Sequence, residues 1–288
     1  MLIGAHVGVA GGYPQALEYA RDVGAECVQI FAKSPRQWQA RAFDVAVAEM
    51  FRATRDVLGI NPVFTHTAYL INLGTTDSSL RHKSITALGD ELERATLLGV
   101  DAVITHIGTN GGTGIDETAE RVATAIAHAL SSAGPTAPRL LLENTAGAGT
   151  TFGNSPEEIG AVLHALPDHF RPRVGVCIDS CHAHAAGYNL SSAEGWASLV
   201  DAFDACCGAD AICAVHANDC MFPSGSRRDR HAWIGDGTIG YDGFAGMLCE
   251  PRLRGIAAIT EMPGDVPDKD RENISRLKRL RDGCAERA

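Results

Sequence analysis

Eight short apolar runs recur along the chain, and they constrain the fold more than any other feature of the sequence. The runs end at His6, Phe31, His66, His106, Glu143, Asp179, His216 and Glu261. From His66 onward their ends lie 40, 37, 36, 37 and 45 residues apart, which leaves room each time for a loop, a helix and a return. The runs are continuously apolar rather than alternating, as is typical of parallel strands buried on both faces.

The segments between the runs have the spacing of amphipathic helices. Apolar residues recur three and four positions apart in the segments 47–58 and 85–95. Ser155, followed by Pro156 and Glu158, predicts a helix start, and Asp77 and Asp116 are weaker capping candidates. Eight strand–helix units without a break in composition predict an α/β protein, a single (β/α)8 TIM barrel domain over residues 1–288 with its active site at the C-terminal rim of the strands.

Composition excludes several other classes of protein. The chain has 288 residues, 45% of them hydrophobic, but it contains no apolar stretch of the ~18 residues that a membrane span needs and no export-signal layout at its start. We therefore expect a cytoplasmic protein with no membrane contact. Nine cysteines in such a chain disfavour a disulfide framework and predict mostly buried thiols, including Cys177 and Cys181. A net charge of −10 argues against a general phosphate-binding surface.

Seven of the eight runs end on an imidazole or a carboxylate, and six of these, all but His6, are interpreted as metal ligands. All strands of a (β/α)8 barrel run the same way, so these six side chains are expected to meet at one rim. Unpaired, they would suffer desolvation and mutual repulsion, whereas divalent cations would pair them. The mixture of nitrogen and oxygen donors favours zinc, with manganese or iron as relatives, and disfavours calcium. The six predicted ligands are His66, His106, Glu143, Asp179, His216 and Glu261.

Two loop segments offer further ligands. One follows the sixth run and contains both His182 and His184, and spacing alone does not choose between them. The other contains Asp229 and His231, separated by one residue. Beside six ligands at strand ends, these loops predict a further metal ion. His6 ends the first run among small residues and is interpreted as a residue that supports the ligands rather than one of them.

Several long strings match a known family from nearly one end of the chain to the other. They are IGAHV at 3–7, KSPRQW at 33–38, HTAYLINLG at 66–74, LLENTAGAGT at 141–150, VGVCIDSCHAHAAGY at 174–188, VHANDC at 215–220 and SRRDRHAWIGDGTIG at 226–240. On these motifs the chain resembles endonuclease IV, the zinc-dependent DNA repair nuclease of abasic sites. Ile107 replaces a proline common in the family, and Met262 follows Glu261 where threonine is common.

The resemblance implies three zinc ions per chain, with Mn²⁺ or Fe²⁺ as possible substitutes, and it selects His182 over His184. The implied ligands are His66, His106 and Glu143 for the first ion; Glu143 as a bridge with Asp179, His216 and Glu261 for the second; and His182, Asp229 and His231 for the third. Four ligand carboxylates carry a charge of −4 and three zinc ions a charge of +6, so the net charge of the cluster is about +2. Adding +6 to the chain's net charge of −10 gives about −4 for the zinc-loaded protein. The mouth of the barrel is then expected to attract phosphate although the chain is acidic.

The same resemblance implies hydrolysis of the phosphodiester 5′ to an abasic site, with a 3′-hydroxyl and a 5′-deoxyribose phosphate as products, and trimming of blocked 3′ ends. The implied substrate is damaged double-stranded DNA, and the protein is expected to be a monomer. Glu143 and Glu261 are the predicted catalytic residues. The predicted DNA-contacting residues lie in three rim loops and are Lys33, Arg36, Gln37, Tyr69, Leu70, Asn72, Arg228 and Arg230.

Two other functions compete with this one. A sugar isomerase or epimerase with a xylose-isomerase-like barrel also has histidines and carboxylates around one or two metal ions, but it has no clear use for His182, Asp229 and His231 or for the loop 33–38. A zinc- or DNA-binding protein without activity is the other alternative, and the presence of every implied ligand disfavours it. The sequence does not indicate which metal is loaded in the cell, how the several DNA activities are balanced, or whether Ile107 and Met262 tune the rate.

Overall fold

Eight parallel strands close into a barrel in the computed structural model, which describes residues 1–208 and 210–285. The strands are β1 (Leu2–His6), β2 (Cys27–Phe31), β3 (Val63–His66), β4 (Ala102–His106), β5 (Arg139–Glu143), β6 (Val174–Asp179), β7 (Ile212–His216) and β10 (Ala257–Thr260). They are hydrogen-bonded in the order β1-β10-β7-β6-β5-β4-β3-β2, with β2 returning to β1. All eight predicted runs are barrel strands, so the predicted fold class is confirmed.

Helices fill the connections between the strands. They are α1 (Tyr13–Asp22), α2 (Val45–Leu58), α3 (Ser78–Leu98), α4 (Ile115–Ala133), α5 (Pro156–Ala165), α6 (Ser180–Ala186), α7 (Ala193–Cys207), α8 (Gly240–Cys249) and α9 (Pro267–Ala285). A two-stranded antiparallel hairpin, β8 (Asp219–Cys220) with β9 (His231–Ala232), stands outside the barrel after β7. Short 3-10 turns at Arg171–Arg173 and Pro251–Leu253 precede β6 and β10.

The predicted helix starts are confirmed at two positions and wrong at a third. The Asp77 carboxylate accepts hydrogen bonds from the backbone N–H groups of Ser79 and Leu80, and the Ser155 hydroxyl accepts one from Glu158. Asp116 is not a cap, because Gly114 takes that position with extended backbone and the helix begins at Ile115. Asp116 lies instead in the first turn, where a carboxylate interacts favourably with the helix dipole.

Two apolar regions place the polar residues at the rim. The barrel interior is filled mostly by small and branched side chains such as Ala214, Ile104, Leu141 and Ile259, with the aromatic ring of Phe64. A larger cluster fills the space between the strands and the surrounding helices. Because both regions are apolar, the imidazoles and carboxylates at the strand ends come together above the core, as a (β/α)8 barrel requires.

The cysteines follow the prediction only in part, because the free thiols of Cys206, Cys207 and Cys213 are half-buried rather than buried. Cys27, Cys177, Cys181 and Cys220 are buried free thiols. Cys249 and Cys284 form a disulfide, however, which the sequence did not predict. Helices α8 and α9 pack side by side and bring the two Cα atoms to 5.4 Å, which is within bonding range. Within the described residues, no helix has both the length and the apolar character needed to cross a bilayer.

Candidate metal centre

The strand-end side chains converge on the C-terminal mouth of the barrel. His66, His106, Glu143, Asp179 and His216 end five of the strands, and the sixth predicted ligand directly follows β10. A cavity of about 480 Å³ opens here and is lined by seven of the nine predicted ligands: His66, His106, Glu143, His182, Asp229, His231 and Glu261. The convergence expected from the spacing of the apolar runs is therefore present in the structure.

The first predicted ligand set forms a compact group around one carboxylate oxygen. His66 Nε2 lies 3.0 Å from Glu143 Oε2, and His106 Nε2 lies 3.5 Å from the same oxygen. Ligand atoms about 2.0–2.2 Å from a tetrahedral zinc ion lie roughly 3.3–3.6 Å from one another. The three donors are thus close enough together to bind a common ion.

The second set surrounds the other oxygen of the same carboxylate. His216 Nδ1 lies 3.1 Å from Glu143 Oε1 and 3.1 Å from Glu261 Oε2. Asp179 Oδ2 lies 3.9 Å from this ring nitrogen. The two oxygens of Glu143 therefore face two different groups of predicted ligands.

The third set joins one histidine of α6 to two residues of the β8–β9 segment. Asp229 Oδ2 lies 3.3 Å from His182 Nε2, and Asp229 Oδ1 lies 3.3 Å from His231 Nε2. This His231 nitrogen is buried and has no hydrogen-bond partner, as expected of an atom whose partner is a cation. Asp179 Oδ2 lies 3.8 Å from both His182 Nδ1 and His231 Nε2, so Asp179 stands between the second and third sets.

A buried carboxylate that the sequence analysis missed holds the hairpin in place. Asp219 accepts hydrogen bonds from five backbone N–H groups: those of Cys220, Gly235, Gly237, Ile239 and Gly240. At Gly237 an added Cβ would lie 2.4 Å from Asp219 Oδ1, so only glycine allows this approach. The strings around 219 and 234–240 therefore encode a carboxylate cradle that fixes the loop returning from His231.

Backbone carbonyl groups orient three of the ligand rings. His66 Nδ1 donates to the carbonyl of Thr67 at 2.8 Å, His182 Nδ1 to that of Asn144 at 2.9 Å, and His231 Nδ1 to that of Glu261 at 2.8 Å. A ring nitrogen that donates in this way leaves the opposite nitrogen free as a lone-pair donor. In all three rings, Nε2 therefore faces the ligand cluster.

The two remaining histidines of the mouth have supporting positions. His6 Nδ1 lies 3.3 Å from Glu261 Oε1, beside a predicted ligand as expected. His184 is turned away from the cluster: its Nδ1 accepts from the Leu190 backbone, and its Nε2 contacts the Thr238 hydroxyl at 3.2 Å. The geometry thus agrees with the choice of His182 as the loop ligand.

Three amide side chains near the ligands were also missed. Asn218 donates to Asp179 Oδ2 at 2.7 Å and to Glu261 Oε2 at 3.1 Å. Asn144 pairs with the backbone of Asp179 through both of its side-chain polar atoms. Gln29, in the middle of β2, contacts Glu261 at 2.6 Å. A polar residue inside a buried run, or directly after a strand-end ligand, is the signal that would have identified Gln29, Asn144 and Asn218.

Burial and ion pairing change the pKa values throughout the cluster. Burial raises the pKa of Glu143, but the nearby rings of His106 and His216 lower it well below its usual range. Burial lowers the pKa of His106 to about 4. At His231, burial lowers the pKa, but the nearby carboxylate of Asp229 outweighs this effect and the pKa rises to about 9. Carboxylates and rings that share protons in this way exchange those protons for a metal ion when they bind one.

The predicted DNA-contacting loops border the mouth. Arg36 and Gln37 are exposed, and Tyr69 is 61% exposed while its ring packs edge-on against Phe31 at 5.6 Å. The Tyr69 N–H donates to the Pro35 carbonyl at 3.1 Å, which joins the two loops. Arg228 and Arg230 are exposed on the hairpin and Leu70 is half-buried, and the Arg228 guanidinium lies 3.7 Å from the centre of the Phe222 ring.

Two of the residues predicted to contact DNA are held by partners within the protein. Lys33 is buried, and its Nζ lies 2.8 Å from Asp90 Oδ2 and 3.7 Å from Glu91 Oε1. Asn72 uses its side chain to hold Thr109, accepting from the Thr109 N–H at 2.9 Å and donating to its hydroxyl at 3.0 Å. Both residues shape the recognition loops from within, because acidic and hydroxyl partners from other loops and from α3 satisfy them.

Known proteins of similar length and fold are similar to this chain. A family model described as a xylose isomerase-like TIM barrel matches residues 17–280. A probable endonuclease 4 from Methanoculleus marisnigri is 39% identical over 280 residues, covering 97% of this chain and 99% of the relative. The crystal structure of endonuclease IV from Thermus thermophilus matches with a TM-score of 0.85 at 37% identity, covering 100% of both chains. The chain belongs to the endonuclease IV family.

More distant barrels share only the fold. A D-tagatose 3-epimerase-like protein matches with a TM-score of 0.76 at 17% identity, over 100% of this chain and 99% of the other. This likeness explains why a sugar epimerase competes with a nuclease when only the barrel and its rim are considered. Membership of the endonuclease IV family, at more than twice that identity over the same length, separates the two.

Proposed function

We propose that this protein is a DNA repair endonuclease that hydrolyses the phosphodiester 5′ to an abasic site with the help of three zinc ions. Family membership supports the reaction class, and the mouth of the barrel supports the metal centre. The observation that carries the proposal is the contact network itself. Nine imidazole and carboxylate side chains from six strand ends, α6 and the hairpin lie in one chain of short contacts through Glu143, Asp179 and Asp229.

The donor chemistry fits zinc. Each of the three sets combines imidazole nitrogen with carboxylate oxygen. Zinc binds such mixed donors, whereas calcium prefers ligands that are all oxygen. His66, His106 and Glu143 would hold one ion; Glu143, Asp179, His216 and Glu261 a second; and His182, Asp229 and His231 a third. When bound, such ions supply Lewis acidity and a nucleophile at neutral pH. Mn²⁺ or Fe²⁺ would be accommodated by the same donors.

Two glutamates have the central roles among the protein groups. Glu143 would hold neighbouring ions through its two oxygens, which already face different ligand sets. Glu261 accepts hydrogen bonds from Gln29 and Asn218, so that its Oε2 faces His216 and the cavity. In this position Glu261 would orient the attacking water relative to the phosphate. The residues of the third set would bring positive charge to the side of the departing 3′ oxygen. The expected products are a 3′-hydroxyl and a 5′-deoxyribose phosphate.

Recognition of the damaged site is assigned to the rim loops, because the metal cluster recognises phosphate and not a missing base. An abasic nucleotide has lost its pairing and stacking, so rotating it out of the helix costs less than rotating an intact one. Arg36, Gln37 and Tyr69 present a cation, an amide and an aromatic ring beside the cavity, and Leu70 adds an apolar contact. Arg228 and Arg230 would contact the DNA backbone. Trimming of blocked 3′ ends would use the same cavity.

The test combines metal analysis with cleavage of a duplex containing one tetrahydrofuran site. We expect about three zinc ions per chain, a single nick 5′ to the site, and loss of cleavage after chelation with recovery on adding zinc. Glu261→Gln should reduce cleavage strongly, whereas His128→Gln, on the exposed outer face of α4, should not. Undiminished cleavage by Glu261→Gln would remove this residue from the mechanism.

The same experiment separates the alternatives. A sugar epimerase needs one or two ions and would leave the duplex intact. A protein that binds zinc and damaged DNA without nicking it would be the noncatalytic form. Either result would refute the proposed function.

A further inference from the structure

Gln29 lies at the contact between two predicted ligands, because it reaches His216 as well as Glu261. It is fully buried on β2, between β1 and β3. Its Nε2 lies 2.6 Å from Glu261 Oε1 and 2.8 Å from His6 Nδ1, and its Oε1 lies 2.8 Å from His216 Nε2. All polar positions of the amide are therefore occupied by groups of the mouth.

The neighbours of the amide determine its orientation. A carboxylate only accepts hydrogen bonds, so the group 2.6 Å from Glu261 Oε1 must be the amide nitrogen. A reversed amide would place two oxygens at that distance. With the nitrogen directed at Glu261, the amide oxygen must face His216, and that oxygen accepts only from a ring nitrogen that carries a proton. His216 Nε2 is thus held as a donor.

The consequence lies at the opposite ring nitrogen. His216 Nδ1 faces Glu143 Oε1 and Glu261 Oε2, both at 3.1 Å. A neutral ring with its proton on Nε2 presents a lone pair at Nδ1, which is the form that binds a cation. His66, His182 and His231 have the opposite arrangement, with Nδ1 donating to a backbone carbonyl and Nε2 facing the cluster. His216 differs from these three rings because a side chain, which can be replaced, sets its proton.

We infer that Gln29 is a positioning residue of the metal centre, which fixes the Nε2–H tautomer of His216 and the orientation of Glu261 for the ion that these two residues share. The inference rests on the proposed metal cluster. Groups that orient metal ligands in this way typically contribute about 10–100-fold to metal affinity. Removing the amide should therefore weaken the site formed by Glu143, Asp179, His216 and Glu261, and leave the donors of the other two sets in place.

The test uses zinc-loaded protein labelled with ¹⁵N at histidine, together with zinc retention against a chelator. In the parent protein, His216 should show a slowly exchanging Nε2 proton, identified by its through-space contact with the Gln29 amide. Gln29→Met, of similar length without polar atoms, should lose this protected proton and bind one zinc ion about 10–100-fold more weakly. Gln29→Asn should behave in the same way, because its shorter side chain cannot reach both partners.

Two further variants separate positioning from packing. Gln29→Glu keeps an acceptor for His216, so it should restore the protected Nε2 proton, while its carboxylate repels Glu261 and lowers zinc retention. Cys27→Ala, two residues earlier on β2 and buried in the barrel interior, should leave both readouts unchanged.

Neither measurement involves DNA, so the inference and the proposed function fail separately. An unchanged His216 proton in Gln29→Met and Gln29→Asn overturns the inference, whatever the zinc affinity. The inference is also overturned if both variants retain zinc as well as the parent protein does. A parent protein that binds zinc but does not nick abasic DNA would refute the proposed function and leave Gln29 in the role inferred here.

Discussion

The buried carboxyl group of Glu91 gives a stability prediction whose size follows from the structure. Glu91 is 1% exposed on α3, and its Oε1 accepts from the Ala68 N–H at 3.1 Å, directly before Tyr69. The same oxygen lies 3.7 Å from Lys33 Nζ, and Oε2 has no hydrogen-bond partner. Burial raises the pKa of Glu91 from 4.5 to about 7, although the charge of Lys33 opposes the rise.

A carboxyl group whose pKa is higher in the folded than in the unfolded protein destabilises the fold as it ionises. Between pH 4.5 and about 7 the folded protein retains a proton that the unfolded chain has lost, so the free energy of unfolding falls as pH rises through this window. At about 1.4 kcal/mol for each tenfold change in the proton equilibrium, the full loss at pH 8 is about 3 kcal/mol. Below pH 4.5 the loss is absent.

Glu91→Gln removes this titration and keeps an oxygen for the Ala68 N–H. Lys33 remains paired with Asp90 at 2.8 Å. We subtract the free energy of unfolding of the parent from that of the variant. This difference should be about 2–3 kcal/mol larger at pH 8 than at pH 5. Urea unfolding at both pH values, at one fixed free zinc concentration, measures this difference, in which the titration of all other groups cancels.

Glu93→Gln provides the matched control, since Glu93 is exposed on the same helix. This substitution should change the free energy of unfolding by no more than about 0.5 kcal/mol at both pH values. If the difference between Glu91→Gln and the parent is the same at pH 5 and pH 8, Glu91 is ionised throughout, and the reasoning from burial is refuted.

Three other predictions concern the hairpin and the rim. Asp219→Ala leaves five backbone N–H groups without their acceptor, so it should lower the free energy of unfolding by about 3–5 kcal/mol. Urea unfolding measures this loss, and a value below about 1 kcal/mol would contradict the role of Asp219 as the common acceptor. Asp229→Ala should reduce bound zinc by about one ion per chain, measured by metal analysis after dialysis, and an unchanged content would remove Asp229 from the third set. Arg36→Ala should weaken binding to an abasic duplex by about tenfold at unchanged zinc content, measured by fluorescence anisotropy, and equal affinity would rule out its contact.

The barrel, and the position of most predicted ligands at its rim, could be predicted because they repeat. A buried strand has to be apolar, and a polar residue that ends such a strand lies at the rim whatever the loops do. His66, His106, Glu143, Asp179 and His216 were therefore found from position alone. The loop ligands were ambiguous from spacing, since His182 and His184 lie on one short helix, and only the family resemblance separated them.

Two of the residues predicted to contact DNA have internal partners that sequence spacing does not show. Lys33 lies in a basic, aromatic segment typical of an exposed loop, but α3 brings Asp90 and Glu91 against its ammonium group from 57 and 58 residues away. Asn72 is paired with Thr109 from another loop. In both cases the partner is distant in the chain, and nothing in the local sequence indicates it.

The third ligand set is built on an appendage, since Asp229 and His231 belong to the segment that leaves and rejoins the hairpin of Asp219–Cys220 and His231–Ala232. The barrel strands themselves supply the donors of the other two sets. Under the proposed function, one excursion of the chain, together with His182 of α6, adds the third ligand set to a barrel that already supplies the other two. Protein engineers seeking a minimal two-metal hydrolase can shorten that excursion, and those seeking a trinuclear enzyme can transplant it together with its aspartate anchor.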